Sequence, residues 1–172
     1  EATGENCKDV TYASDNETVA SVDENGKVTA KAAGTAVITA TSAAGKTAQY
    51  KLTVKTPSVK LNASAKTLYV KGSPATVTLK ATTAGVTGKV TYTSSKPSVV
   101  AVAANGKVTA KAAGTAVITV KCGNYKATCK ITVKKPSVKA SASAKTVFVG
   151  GTSQIKVKKT GVSGKVTYTS SN

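Results

Sequence analysis

Apolar and polar residues alternate with a period of two along much of the chain, as in Val77-Thr78-Leu79-Lys80. That period places alternate side chains on opposite faces of a strand, one inward and one to solvent. Between residues 57 and 134 it predicts strands near 58–62, 67–70, 75–83, 89–94, 99–103, 107–111, 115–122 and 126–133. Asn105-Gly106 separates two of these, and such a pair between alternating strands signals a hairpin, with φ > 0 expected at both turn residues. Pro57, Pro74, Pro97 and Pro136 fall at strand starts or joints, where a missing N–H costs least. Short strands at this spacing imply an all-β sandwich. Its predicted core is Val77, Leu79, Val90, Tyr92, Val100, Val102, Val108, Ala110, Ala116, Ile118, Val120, Ile131 and Val133.

The pattern repeats. Residues 22–39 recur as 102–119 and differ only where Asp23 and Glu24 become Ala103 and Ala104. Val54-Lys-Thr-Pro-Ser-Val-Lys60 returns as Val133-Lys-Lys-Pro-Ser-Val-Lys139, and Gly88 to Ser95 returns as Gly164 to Ser171. The period is close to 78 residues, longer than the roughly 20–45 of a solenoid unit and enough for a small domain. The organisation read from this is one complete copy, 57–135, between two partial ones. Residues 1–56 correspond to the later strands of a copy and 136–172 to the early ones. The Val-Thr-Tyr strand occurs in both partial copies, at 10–12 and 166–168.

Charge sharpens the picture. The chain of 172 residues carries a formal net charge of +18, and all 25 basic residues are Lys. The seven acids (Glu1, Glu5, Asp9, Asp15, Glu17, Asp23 and Glu24) all precede residue 25, and there is no His. Catalysis through an imidazole is thereby excluded. Paired-carboxylate hydrolysis would have to fit into the first 24 residues. Zinc would find only Cys7, Cys122 and Cys129, one ligand short of a structural site. The inventory implies no enzyme and no cofactor. No apolar run approaches the ~18 residues of a membrane span, so membrane insertion is not expected. Without a signal segment or initiator Met the sequence reads as a mature product or an excised fragment.

The stretches Tyr12 to Thr39 and Tyr92 to Thr119, each carrying Asn-Gly-Lys-Val-Thr-Ala-Lys-Ala-Ala-Gly-Thr-Ala-Val-Ile-Thr, resemble the bacterial immunoglobulin-like group 2 (BIG2) domain. With the flanking strands the resemblance covers nearly the whole chain. The family is similar to the Ig-like repeats of intimin and invasin. It implies tandem Ig-like β-sandwich domains that act as non-catalytic spacers or adhesive modules. Such modules occur in bacterial cell-surface proteins, secreted wall-associated enzymes and phage structural proteins. An extracellular setting follows, but no ligand.

Cys122 and Cys129 flank a hairpin tip, and a disulfide between them requires a register that brings their Cα atoms within about 7 Å. The alternative is two reduced, apolar thiols, as Ser42 and Tyr50 occupy these places in the first copy. Cys7 would then be free or pair with another chain. The lysines are spread along strands, which reads first as a solvated, aggregation-resistant face. Anionic glycans or cell-wall polymers are the alternative partners. Nucleic acid is disfavoured because stacking aromatics and Arg are lacking. Finally, Asp15, Glu17, Asp23 and Glu24 lie in one partial copy, and Lys145, Lys156 and Lys158 in the other. These are the candidate subunit contacts if one chain completes the partial domain of the next head to tail, generating a filament. The duplicated Val-Thr-Tyr strand argues against that closure. The acids also read as plain turn chemistry. Lys–Asn isopeptide cross-links need a nearby carboxylic acid, and none lies in the middle copy.

Overall fold

The computed structural model of the chain describes residues 10–171. The chain divides into two compact units, Glu1–Pro57 and Ser58–Asn172. All elements among the described residues are strands. The first unit contains β1 (Thr11–Ser14), β2 (Ala20–Val22), β3 (Val28–Ala30), β4 (Gly34–Thr41) and β5 (Thr47–Val54). They form a sheet in the order β1-β4-β5 and a separate β2–β3 pair. The small core of this unit is Val19, Ala20 and Ala36, backed by Leu52 and Val54.

The second unit begins with β6 (Ser58–Leu61), β7 (Ala65–Tyr69), β8 (Thr76–Thr78), β9 (Ala81–Ala84) and β10 (Thr91–Ser94). It continues with β11 (Val100–Val102), β12 (Lys107–Ala110), β13 (Gly114–Cys122) and β14 (Tyr125–Lys134). One layer is the sheet β10-β13-β14-β7, with β7 parallel to β14 and the other pairs antiparallel. Facing it are β11-β12-β8 and the β6–β9 pair. Leu68, Leu79, Val100, Val108, Ala116, Ile118, Cys129, Ile131 and Val133 fill the space between. A second cluster of Val59, Val120 and Cys122 lies near β6 and β9. The alternation therefore places the inward face of β13 and β14 correctly. Leu68, Val59 and both cysteines belong to the core as well. Val77, Val90, Tyr92, Val102 and Ala110 are half-buried at its margin.

The stretch 75–83, expected as one strand, is two. β8 pairs with β12, and β9 pairs with β6 in the other pair of strands. At the crossing, the Tyr92 hydroxyl donates to the Leu79 carbonyl and accepts from the Ala81 N–H, both at 3.1 Å. Asn62 accepts from the Lys80 N–H at 3.0 Å. The Leu79 N–H donates to the Gly106 carbonyl at 2.9 Å. Two side chains and one turn thus satisfy the backbone groups that a sheet switch would otherwise leave unpaired.

The Asn105-Gly106 turn also differs from expectation. Gly106 has φ +80°, whereas Asn105 does not have positive φ. The Gly106 N–H donates to Ala103 O, and the Ala103 N–H donates to Lys107 O. This is a longer loop with one left-handed glycine. A Cβ at Gly106 would collide with the Leu79 carbonyl.

The register corrects the Cys122–Cys129 disulfide. Cys122 lies opposite Tyr125, and Cys129 lies opposite Ile118. Cys129 is four residues along the strand from the partner of Cys122, roughly 13 Å at a strand rise of about 3.3 Å per residue, beyond bridging distance. Both are free, buried thiols. Burial raises the Cys129 pKa, which nearby Lys66 partly offsets. Cys7 lies outside the described residues.

Residues after β14 contribute β15 (Ser137–Ala142) and β16 (Ile155–Thr160), an antiparallel pair. The Ser73 N–H donates to Gly161 O at 3.0 Å, and Gly161 lies against the Tyr69 ring.

Two outcomes follow for the sandwich. Tyr92→Phe should cost about 1–3 kcal/mol in denaturant unfolding of the second unit, because two backbone groups at the crossing lose their partner. Gly106→Ala should cost about 3 kcal/mol; an unchanged unfolding midpoint for either would contradict this account of the crossing. For the thiols, iodoacetamide should leave Cys122 and Cys129 unmodified in the native chain and alkylate both in denaturant without reductant. A mass lower by two hydrogens with no alkylation would instead show a disulfide.

Candidate functional site

The later strands of the middle copy and the strands of the first unit are built alike. Tyr12 lies opposite Ala40 as Tyr92 lies opposite Val120, and Ile38 opposite Tyr50 as Ile118 lies opposite Cys129. Their surroundings differ. In the middle copy, Val108 and Cys129 are fully buried under Leu68 and Leu79. In the first unit, the corresponding Val28 is 37% exposed and Tyr50 is 66% exposed. Between them lies a hollow of about 270 Å³ lined by Tyr12, Gly26, Val28, Ile38, Ala40 and Tyr50, among others. It occupies the place that Leu79 fills in the middle copy. The outer edge of β5 carries no strand among the described residues, whereas β14 is covered by β7. An open edge of eight residues beside an apolar hollow is a docking template.

Residues 136–171 show the converse. β15 and β16 pair as β6 and β9 do: Ala140 faces Val157 as Leu61 faces Ala81, and Ser137 faces Thr160 as Ser58 faces Ala84. The side chains that correspond to the filling of the middle core are on the surface. Val138 (for Val59), Val147 (for Leu68), Phe148 (for Tyr69) and Ile155 (for Leu79) are all exposed. Val138, Ala140, Ile155, Val157, Val166 and Tyr168 line an open apolar face of about 370 Å³. The second Val-Thr-Tyr segment, 166–168, forms no strand here, whereas its counterpart Thr11–Ser14 is β1.

The charged candidates divide by role. Asp15 Oδ1 accepts from the Val37 N–H at 2.7 Å, and Asp23 Oδ1 accepts from Asn25 N–H and Lys27 N–H at 3.0 and 2.8 Å. Both carboxylates therefore hold local backbone, as Ser95 and Asn105 do in the middle copy. Glu17 and Glu24 are exposed, in the loops before and after β2. Lys145, Lys156 and Lys158 are exposed, the last two on β16. The structure does not bring the acids and these lysines together within one unit. Among the described residues no group of three His, Cys, Asp or Glu is able to hold a metal, and no helix is long and apolar enough to cross a membrane. The sequence reading named the acids of this unit as candidate contacts, but not Val28, Ile38 or Tyr50, which line the hollow.

Residues 1–54 match the family described as bacterial Ig-like domain (group 2), and residues 88–135 match the bacterial Ig-like domain family. None of the curated proteins matches the chain. Among solved structures it is similar to the S-layer protein rSbsC(31-844), at 22% identity over 88% of this chain and 28% of that one, with a TM-score of 0.39. It is also similar to SbsC domains 4 and 5, at 29% identity over 73% and 70% of the two chains, with a TM-score of 0.37. A third is the C-terminal 282-residue fragment of intimin, solved in complex with the intimin-binding domain of Tir. It shares 23% identity over 76% and 53% of the chains, with a TM-score of 0.39. The chain thus spans under a third of the length of the rSbsC structure. With both matched segments folded as the strands described above, this all-β chain carries bacterial Ig-like repeats, of group 2 in its first segment.

Proposed function

We propose that this chain is a structural and adhesive segment of a bacterial cell-surface or filamentous protein, working outside the cell without catalysis. Its repeats associate head to tail, the open first unit of one molecule receiving residues 136–162 of the next. The observation that carries this reading is the matched pair of unsatisfied surfaces: a hollow where Leu79 belongs, and an exposed Ile155 in the position of Leu79. The duplicated strand is compatible with it. Residues 166–168 form no strand and lie along the apolar face of β15 and β16; in the assembly β1 holds the strand position and the second Val-Thr-Tyr gives way to it. The contact is heterologous and does not close on itself, which produces fibres rather than dimers. Acid-bearing and Lys-bearing surfaces favour this polarity over like-to-like pairing.

A second reading rests on like charges set opposite one another. Lys121 faces Lys126 across β13 and β14, and Lys139 faces Lys158 across β15 and β16. Such pairs destabilise a sheet, and a bound anionic glycan or wall polymer would relieve them.

In size-exclusion chromatography with light scattering, under reductant, the chain should show mass rising with concentration, and electron microscopy should show linear particles. A 17.2 kDa monomer throughout would sink the head-to-tail reading. For the second reading, retention on an anionic wall polymer should fall steeply between low and high salt; no retention at low salt would dismiss it.

A further inference from the structure

The middle copy fixes how the open unit is filled, and the side chains of the two partial copies show signs of being matched to each other. In the middle copy Leu68 and Cys129 share one cluster, and Ala81 and Val120 share another. In the partial copies both pairs change in opposite senses. Cys129 becomes the larger Tyr50 while Leu68 becomes the smaller Val147. Val120 becomes the smaller Ala40 while Ala81 becomes the larger Val157. Close packing penalises both voids and overlaps, so such reciprocal changes are what a shared core requires. Val100 and Leu61, whose counterparts Ala20 and Ala140 are smaller, show no such compensation.

Resting on the head-to-tail reading above, we infer that Ala144–Phe148 of a second copy adds to the open edge of β5 as a parallel strand. Ile155 of that copy enters the hollow of Tyr12, Val28, Ile38 and Tyr50. The register follows the middle copy, where Thr132 faces Thr67 and Val133 faces Leu68; Thr53 therefore faces Thr146 and Val54 faces Val147. The Tyr12 hydroxyl takes the role of Tyr92, accepting from the Val157 N–H and donating to the Ile155 carbonyl. The charge substitutions fit the same placement. Lys80 follows Leu79, whose N–H bonds the turn at Gly106. Lys156 follows Ile155 and so arrives beside the corresponding turn, where Asp23 and Glu24 replace Ala103 and Ala104. Ile155 is held meanwhile opposite Ala142, in two ladder positions of β15–β16 that have no counterpart in β6–β9. Docking trades those positions for the crossing between sheets.

The test is Thr53→Cys with Thr146→Cys in one chain that also carries Cys7→Ser, oxidised gently and run on a denaturing gel. A ladder of covalent multimers is expected, with each single variant stopping at dimers. Assembly by light scattering without a ladder would overturn the register while leaving head-to-tail association standing. Neither assembly nor ladder would remove both, and a cross-link confined to monomers would show that the segment folds back on its own chain and overturn the second copy as occupant. Independently, Tyr12→Phe should weaken assembly about tenfold, the loss expected for one buried hydrogen-bonding hydroxyl. It should leave the unfolding midpoint of the second unit unchanged. Undiminished assembly would contradict the placement of Ile155.

Discussion

The sandwich depends on one crossing. Between Thr78 and Ala81 the chain leaves one set of strands for another, and Leu79 is driven into the core at that point. Its carbonyl and the following N–H groups cannot belong to both ladders, so they need other partners. Tyr92, Asn62 and the Gly106 turn supply them. The glycine is required because the Leu79 carbonyl occupies the space a Cβ would take. Burial of one leucine therefore fixes a tyrosine on β10, an asparagine after β6 and a glycine before β12. Four strands are tied together by a single backbone step.

The residues after β14 show what happens without that step. There Ser141 stands where Asn62 would be, and Ser153 and Gln154 bond to Ser143 and Ala144 rather than to a strand in the place of β12. The strand does not cross over. It continues its pairing with β15 to Ile155, and the apolar side chains stay on the surface. The first unit has the reverse condition, with the tyrosine and glycine in place but no leucine between them. Each piece follows ordinary sheet rules locally. The exposure arises because an Ig-like core is made by strands distant in sequence, so half a copy cannot bury its inner face.

The pattern of alternation and the repeat were enough to read the fold class and the inward faces of β13 and β14, because those strands alternate cleanly over eight or more residues. Three things were not legible. The break at Leu79 interrupts no alternation; it is a tertiary effect of the Tyr92 hydroxyl. The parallel pairing of β7 with β14 joins segments more than sixty residues apart, and no local signal marks it. The spacing of Cys122 and Cys129 suggested a bridge, yet a two-residue turn at Gly123-Asn124 fixes the register so that Tyr125 takes the place opposite Cys122. Within the candidate site, the acids and lysines were visible as charge. The residues lining the hollow were not, since Tyr12, Val28 and Ile38 follow the same strand pattern as Tyr92, Val108 and Ile118 in the middle copy.

The parallel β7–β14 pair has a mechanical consequence. β7 stands near the start of the second unit's sandwich and β14 is its last strand. If the second unit is pulled at the two ends of its sandwich, tension enters near residue 58 and leaves near residue 134. The short β6 is loaded first. Behind it, two strands running in the same direction and drawn from opposite ends must slide past each other, so the positions from Lys130↔Ala65 to Lys134↔Tyr69 share the load in shear. An antiparallel hairpin pulled from its open end would instead release its hydrogen bonds one at a time. The topology that hides the core from the sequence also loads the β7–β14 hydrogen bonds in shear rather than one after another.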